Sequence, residues 1–465
     1  MKFTFHGGAQ TVTGSAFLVS INGTTLLLEC GVFQGKRADM YEKNQNFPFD
    51  PQKIDAVVLS HAHMDHSGNL PNLIKKGYKK SIYATPPTTD LCKIMLRDSA
   101  HLQEMDSFFV NKIRAKQKLP PIHPLYTMQD AEAAMDYFVN LEYEKTVTLA
   151  KGVDLRFHDA GHILGSAGVM LEIHENGKEY RVGFTGDLGR KDIPILRDPN
   201  ALRDLDVLIM ESTYGNRTHA SAADAEEELA DAIRSTSRLG GKIIIPSFAV
   251  GRTQLLVYML HKLFDQDRIP DMPIYVDSPL ACKATDVFRD HTECFDREAN
   301  RIFLSDGSDP FGFSRLTYIH DVEESKRLNR LSYPHIIISS SGMAEGGRIL
   351  HHLRNNIEDH RNLILFVGYA AKETLARKIM DGDEKVKIFG EEHRVKAQVR
   401  VMDHFSAHGD RRDLLDYVEY SPPNRLKNIF LVHGEHDQAI PLKDALRSKG
   451  YESVHYPGPG EEYVI

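Results

Sequence analysis

Residues 61–66 read HAHMDH, three histidines and one aspartate in six positions, directly after the apolar run Ile54, Ala56, Val57, Val58, Leu59. Crowding titratable groups at the end of a buried strand is costly unless something binds them. Imidazole with carboxylate is ligand chemistry for a divalent metal. His61 and His63, spaced i and i+2, project the same way from an extended segment and can grip one ion. Asp65 and His66, on the following turn, can grip a second. Two metals roughly 3.5–4 Å apart can clamp an in-line phosphoryl displacement. Such a pair needs more ligands, and the chain offers them in equivalent places after apolar strands: His162 in DAGHILGS, Asp187 in FTGDLG and His433 in FLVHGE. Asp187 has the two oxygens that a bridging ligand requires. Histidine-rich ligation favours zinc over iron or manganese.

These side chains need strands to hold them. FLVSINGTTLLLECG reads as strand, Asn-Gly turn, strand; IDAVVLS as a buried strand; DLRFHDA and GVMLEIHENGKEYRVGFTGD as further strands, the latter pair turning at Asn176-Gly177; and VLIMEST closes the region. Residues from about Thr88 to Asp136 look helical, charged and packed outside. From about residue 216 the rhythm becomes helix (ADAEEELADAIRSTSRL), strand (KIIIPSF), helix (RTQLLVYMLHKLF), strand (PIYVDS), then HIIISSSG, RILHHLRNNI, NLILFVGY and TLARKIM. This alternation implies a parallel sheet covered by helices. Ligands bind beyond the carboxyl ends of such strands, which here carry Ser, Gly, Arg and Lys suited to phosphates. A last segment, RVKAQVRVMDHFSAHGD and IFLVHGEHDQAIP, returns to strands followed by His-bearing loops. The expected organisation is an α/β domain at 216–395 inserted between two parts of another domain, 1–215 and 396–465.

With 465 residues, two or three domains are expected. A hydrophobic share of 41% and a charged share of 26% fit a soluble globular protein. No apolar run approaches the roughly 20 residues of a membrane span, and the first residues lack the features of a secretory signal. Four scattered cysteines without a C-x-x-C pair suit free thiols in a reducing compartment, so the expectation is cytoplasmic with no membrane. A net charge of −8 argues against coating nucleic acid non-specifically, but bound metals and a local basic groove leave a nuclease open.

With these motifs in order, the chain resembles the metallo-β-lactamase fold. ESTYGNR (211–217), IPSFAVGRTQ (245–254), VDSPLA (276–281), SSSGM (339–343), LFVGYAAKETLARK (365–378) and FSAHGD (405–410) narrow the resemblance to the β-CASP group, over essentially the whole chain. That group includes the pre-mRNA 3′-end processing endonuclease and its bacterial and archaeal relatives. The implied architecture is α/β: a metallo-β-lactamase αββα sandwich with an inserted β-CASP domain.

The resemblance implies two zinc ions, the first held by His61, His63 and His162, the second by Asp65, His66 and His433, with Asp187 bridging. It places an orienting carboxylate at Glu29, where relatives more often have Asp. It implies that His408 protonates the leaving 3′ oxygen while Glu211 holds its other ring nitrogen. Nearby His404 is not required by the family pattern. For substrate binding, the insert's strand ends offer Arg252, Ser340, Ser341, Gly342, Arg348, Lys372 and Arg377, with the pair His351-His352 following the glycine loop. The implied activity is a ribonuclease in RNA processing or decay, in which a metal-bridging hydroxide attacks phosphorus to leave 5′-phosphate and 3′-OH ends. It would be chiefly an endonuclease with 5′-exonuclease action open, acting on single-stranded RNA, with a homodimer common in the group. Three rivals stand beside it. A DNA nuclease of the same group usually lacks the last histidine, present here as His433. A small-molecule metallohydrolase would not need the insert, and an inactive RNA-binding scaffold would not need every ligand.

Overall fold

The computed structural model describes the chain except residues 36, 176, 220, 221, 306–308, 369 and 372; at 37–40, 222, 223, 303–305 and 403 it describes the backbone alone. The chain falls into two units. Met1–Lys191, Asp198–Thr218 and His408–Ile465 form the first, and Asp192–Arg197 with His219–Ala407 the second.

Alternation along the strands builds the first unit. Phe3 and Phe5 of Lys2–Gly7, Phe17 and Val19 of Ala16–Ile21, and Leu26 and Leu28 of Thr24–Leu28 share one apolar cluster with Leu155, Phe157, Val169, Leu171, Phe184, Ile209 and Phe430. These side chains come from two seven-stranded sheets, whose apposed faces make the core of a sandwich. The first sheet runs Glu461–Val464, Lys2–Gly7, Ala16–Ile21, Thr24–Leu28, Ala56–Val58, Ile82–Ala84, Phe138–Asn140. The second runs Val454–His455, Asn428–Val432, Val207–Glu211, Lys178–Phe184, Ala167–Glu175, Val153–Asp159, Thr146–Ala150. Helices Arg411–Val418 and His436–Ser448 cover the outer face of the second sheet through Leu414, Tyr417, Leu442 and Leu446, packed on Leu208, Met210 and Leu431. The hairpin expected at Asn22-Gly23 forms, both residues having positive φ. Strands Ala167–Glu175 and Lys178–Phe184 pair as expected, with Glu175 opposite Lys178; Asn176 of their turn lies outside the described residues.

Topology gathers the chemistry. Thr24–Leu28, Ala56–Val58 and Ile82–Ala84 run parallel, so Glu29 and the segment 61–66 follow neighbouring strands at one edge. In the second sheet Lys178–Phe184, Val207–Glu211 and Asn428–Val432 are likewise parallel, and their ends lead to Asp187, Glu211 and His433. Strand Val153–Asp159 has the same direction through two antiparallel pairings, and His162 follows it.

The second unit has the expected parallel sheet, in the order Leu316–Tyr318, Ile274–Val276, Ile336–Ser339, Ile243–Pro246, Leu363–Phe366, Gln398–Val401. One sequence expectation changes here. Residues 396–407 were assigned to the returning part of the first domain, but Gln398–Val401 pairs with Leu363–Phe366, so the chain leaves this unit only after Ala407. Residues 192–197 also belong to it, through backbone and side-chain bonds joining Ile195 to Asp296. No helix among the described residues is long and apolar enough to cross a membrane.

Candidate metal centre

Every proposed metal ligand lies in the first unit, and backbone contacts bring their loops together. At Gly31 an added Cβ would sit 1.6 Å from the carbonyl oxygen of Asp65, and at Gly189 one would sit 2.0 Å from that of Gly161. Only glycine permits these approaches, which press the loop after Leu28 onto Asp65-His66 and the loop after Asp187 onto His162.

Two groups of ligand atoms result. His61 Nε2 is 3.1 Å from His63 Nδ1, which is 3.3 Å from His162 Nε2. Asp187 Oδ2 lies 3.5 Å from both His61 Nε2 and His162 Nε2. In the second group His66 Nε2 is 3.3 Å from His433 Nε2, which is 3.4 Å from Asp65 Oδ2. Asp187 reaches this group too, with Oδ2 at 3.4 Å from His66 Nε2 and Oδ1 at 3.4 Å from His433 Nδ1. Atoms bound tetrahedrally at zinc's ~2.0–2.1 Å would lie about 3.3 Å apart. The spacing therefore fits a shared ion at each group.

Proton bookkeeping supports the same fit. Ser60 Oγ donates to Glu29 Oε2 (3.1 Å) and lies 2.9 Å from His61 Nδ1, so its oxygen is left to accept from that nitrogen. His66 Nδ1 faces Glu29 Oε2 at 2.8 Å. Thr213 Oγ1 donates to the carbonyl of His433 (2.9 Å) and stands 3.1 Å from His433 Nδ1. Each of these three rings thus has its proton held at Nδ1 and turns the Nε2 lone pair inward, as a metal ligand must. Burial, and then the neighbouring rings, push His61 well below the usual imidazole range and His63 down to about 4 despite nearby carboxylates. Burial would also lower His66, but Asp187 and Asp65 outweigh it and hold that ring well above its usual range. Asp187 is held well below the carboxylate range, its imidazole neighbours His433, His66 and His408 overcoming burial. Buried carboxylates here ask for positive charge, which divalent cations would supply.

Glu29, fully buried, takes the orienting place expected of it: it accepts from Ser60 N (2.7 Å) and holds His66. Burial raises its carboxyl, partly countered by His66 and Ser60. Beside the ligands, His408 Nδ1 is 3.1 Å from both oxygens of buried Glu211, which also accepts from Leu188 N at 2.6 Å. Burial works against the His408 proton, but Glu211 and Asp187 outweigh it and raise the ring to about 9. His404 belongs instead to the second unit, 3.3 Å from Glu228.

The substrate-binding expectations meet a mixed outcome. Arg252 begins helix Arg252–Asp265 at the carboxyl edge of the second unit's sheet, near Gly368. Ser340 Oγ bonds Ser278 Oγ (2.7 Å), and Gly342 packs against Phe248. Ser341 turns back toward Gly346. Arg348 is spent inside the unit: it donates to Asp277 Oδ1 (2.6 Å) and to the carbonyls of Ile319 and His320. His352 is buried against the same carboxylate at 2.6 Å, and His351 lies against Phe389. Arg377 pairs with Asp381, one helical turn on. Lys372 lies outside the described residues. Sequence reasoning missed Ser60 and Thr213; their signal was a hydroxyl residue at a strand end beside a named ligand or acid.

Family models match three segments: Metallo-beta-lactamase superfamily domain at 18–179, Beta-Casp domain at 253–379 and Zn-dependent metallo-hydrolase RNA specificity domain at 392–457. Ribonuclease TTHA0252 of Thermus thermophilus is 36% identical over 452 residues, 97% of each chain. A transcription termination factor FttA of Methanosarcina mazei is 31% identical over 461 residues, 97% of this chain and 69% of that one. Its namesake in Methanocaldococcus jannaschii is 29% identical over 466 residues, 98% and 70% of the two chains. A crystal structure of a protein of unknown function from Enterococcus faecalis aligns with a TM-score of 0.56 at 14% identity, over 100% of this chain and 99% of that one, a likeness of fold alone.

Proposed function

The chain belongs to the β-CASP branch of the metallo-β-lactamase superfamily, and from that premise we propose that it is a zinc-dependent ribonuclease acting on single-stranded RNA in processing or decay. The observation that carries this reading is a single constellation in one unit. Seven side chains (His61, His63, Asp65, His66, His162, Asp187 and His433) converge on two ligand groups, with the His408–Glu211 pair 3.9 Å from Asp187. The relatives named as a ribonuclease and as transcription termination factors give RNA as the substrate.

Two zinc ions, when bound, neutralise phosphate charge and make a water acidic enough to attack at neutral pH. The protein's own part is positioning and proton transfer. Glu29, Ser60 and Thr213 fix the ring orientations of His66, His61 and His433. Glu211 holds His408 by Nδ1, so Nε2 is the nitrogen that exchanges a proton. Delivery of that proton to the departing 3′ oxygen leaves a 3′-OH, and the water oxygen stays on phosphorus as part of a 5′-phosphate. A ribose alkoxide is a poor leaving group, which is why a positioned acid matters. At the insert, Arg252, Ser340, Ser341 and Gly342 are the residues retained for holding RNA phosphates. Domain limits near 218 and 407 and a cytoplasmic location go with this reading.

The test is cleavage of end-labelled RNA by protein loaded with zinc and by His63→Ala. Loss of cleavage in the variant with an unchanged far-UV spectrum supports the proposal; undiminished cleavage overturns it.

A further inference from the structure

The helix Pro86–Lys116 buries Leu91, Cys92, Met95, Leu96 and Ala100 along its inner side. Its outer side should be polar. Instead Leu102, Met105, Phe108, Phe109 and Ile113 stand there 42–59% exposed, with Leu119 just beyond the helix end at 46%. Leu102, Met105, Phe109 and Ile113 follow the i, i+3, i+7, i+11 spacing of a helix face made to pack. Large side chains bury ~150–250 Å² each, so six at about half exposure present on the order of 600 Å² of largely apolar surface. Monomers rarely leave such a contiguous patch open, and it approaches the ~800 Å² that each partner contributes to a stable interface.

Charge along the same face says what covers it. Asp98 and Lys116 lie 18 residues apart, five helical turns, and so bracket the apolar stripe on one side of the helix. The face is complementary to itself when reversed. Placing two such helices antiparallel about residue 107 sets Met105 opposite Phe109 twice and Asp98 opposite Lys116 twice. It also lays the Lys112 stem over Leu102. Lys112 already sits 4.2 Å above the Phe108 ring, which leaves its charge at the rim. We propose that this face joins two copies of the chain in solution, helix antiparallel to helix. The proposal is independent of the nuclease reading, since its readout is mass.

Light scattering or sedimentation across a concentration series tests it. The wild-type protein should be a dimer. Phe109→Glu should raise the dissociation constant ~100-fold or more, as loss of a central aromatic anchor does. Asp98→Lys or Lys116→Asp alone should weaken association ~10-fold, and the doubly reversed variant should restore it. Because these positions are on the surface, zinc content and the far-UV spectrum should not change. A monomer at every concentration, or a dimer indifferent to Phe109→Glu, overturns the proposal. So does a monomer whose Phe109→Glu variant loses retention of single-stranded RNA, which would assign the face to nucleic acid.

Discussion

At the scale of single residues, the centre depends on hydroxyls as much as on ligands. His433 has a φ of +47°, a left-handed backbone that a non-glycine residue seldom adopts. Thr213 clamps it from two directions, through its carbonyl and through Nδ1. Thr213→Ala should therefore weaken binding of one of the two zinc ions ~10–100-fold, the usual cost of losing an orienting partner. Thr213→Ser should restore it, and a zinc titration by competing chelator reads both. His408→Ala should slow RNA cleavage ~10²–10⁴-fold while both zinc ions stay bound; single-turnover kinetics beside metal analysis separates the two effects. The ligands were legible in the sequence because H-x-H-x-D-H crowds groups that nothing else explains. Ser60 and Thr213 were not, because a hydroxyl at a strand end is ordinary turn and cap chemistry until its neighbours are known.

At the scale of elements, the buried network around Asp277 shows how the second unit keeps its strand ends in place. One carboxylate receives Arg348, His352 and Ser325 from three segments. Burial opposes its charge, and these bonds overcome that to hold the carboxyl below its usual range. Asp277→Ala should cost about 3–5 kcal/mol, because it strands a buried arginine without its partner; urea unfolding reads this. Arg348 looked from the sequence like a phosphate ligand, since nothing local reveals a partner 71 positions away. The parallel strand Gln398–Val401 was misassigned for a similar reason: its alternation suits either sheet, and long-range pairing leaves no local mark. His335, fully buried at the start of Ile336–Ser339, is pushed down to about 4 by burial. An unfolded histidine titrates near ~6.5. Between these values the unfolded chain binds a proton that the folded chain refuses, so this contribution is complete above the unfolded value and is lost as pH falls toward 4. Urea midpoints at neutral and mildly acidic pH should fall in the wild type by up to ~1.4 kcal/mol per pH unit from this group. His335→Asn should flatten that slope relative to wild type.

At the scale of the whole molecule, strand and helix rhythm carried the architecture: a strand-rich unit with chemistry at its strand ends, and an inserted parallel sheet. The outer face of Pro86–Lys116 was hidden, because periodicity tells which residues share a face and not which of two apolar faces meets solvent. The central claim is that the two ligand groups serve cleavage of RNA. The most direct measurement incubates matched single-stranded RNA and DNA, both end-labelled, with the protein carrying two zinc equivalents and with protein stripped by chelator. The account predicts that RNA is cut to fragments bearing 5′-phosphates and 3′-hydroxyls, that DNA is cut far more slowly, and that stripping abolishes both. RNA left intact by the fully loaded protein, or DNA cut as fast as RNA, would contradict it.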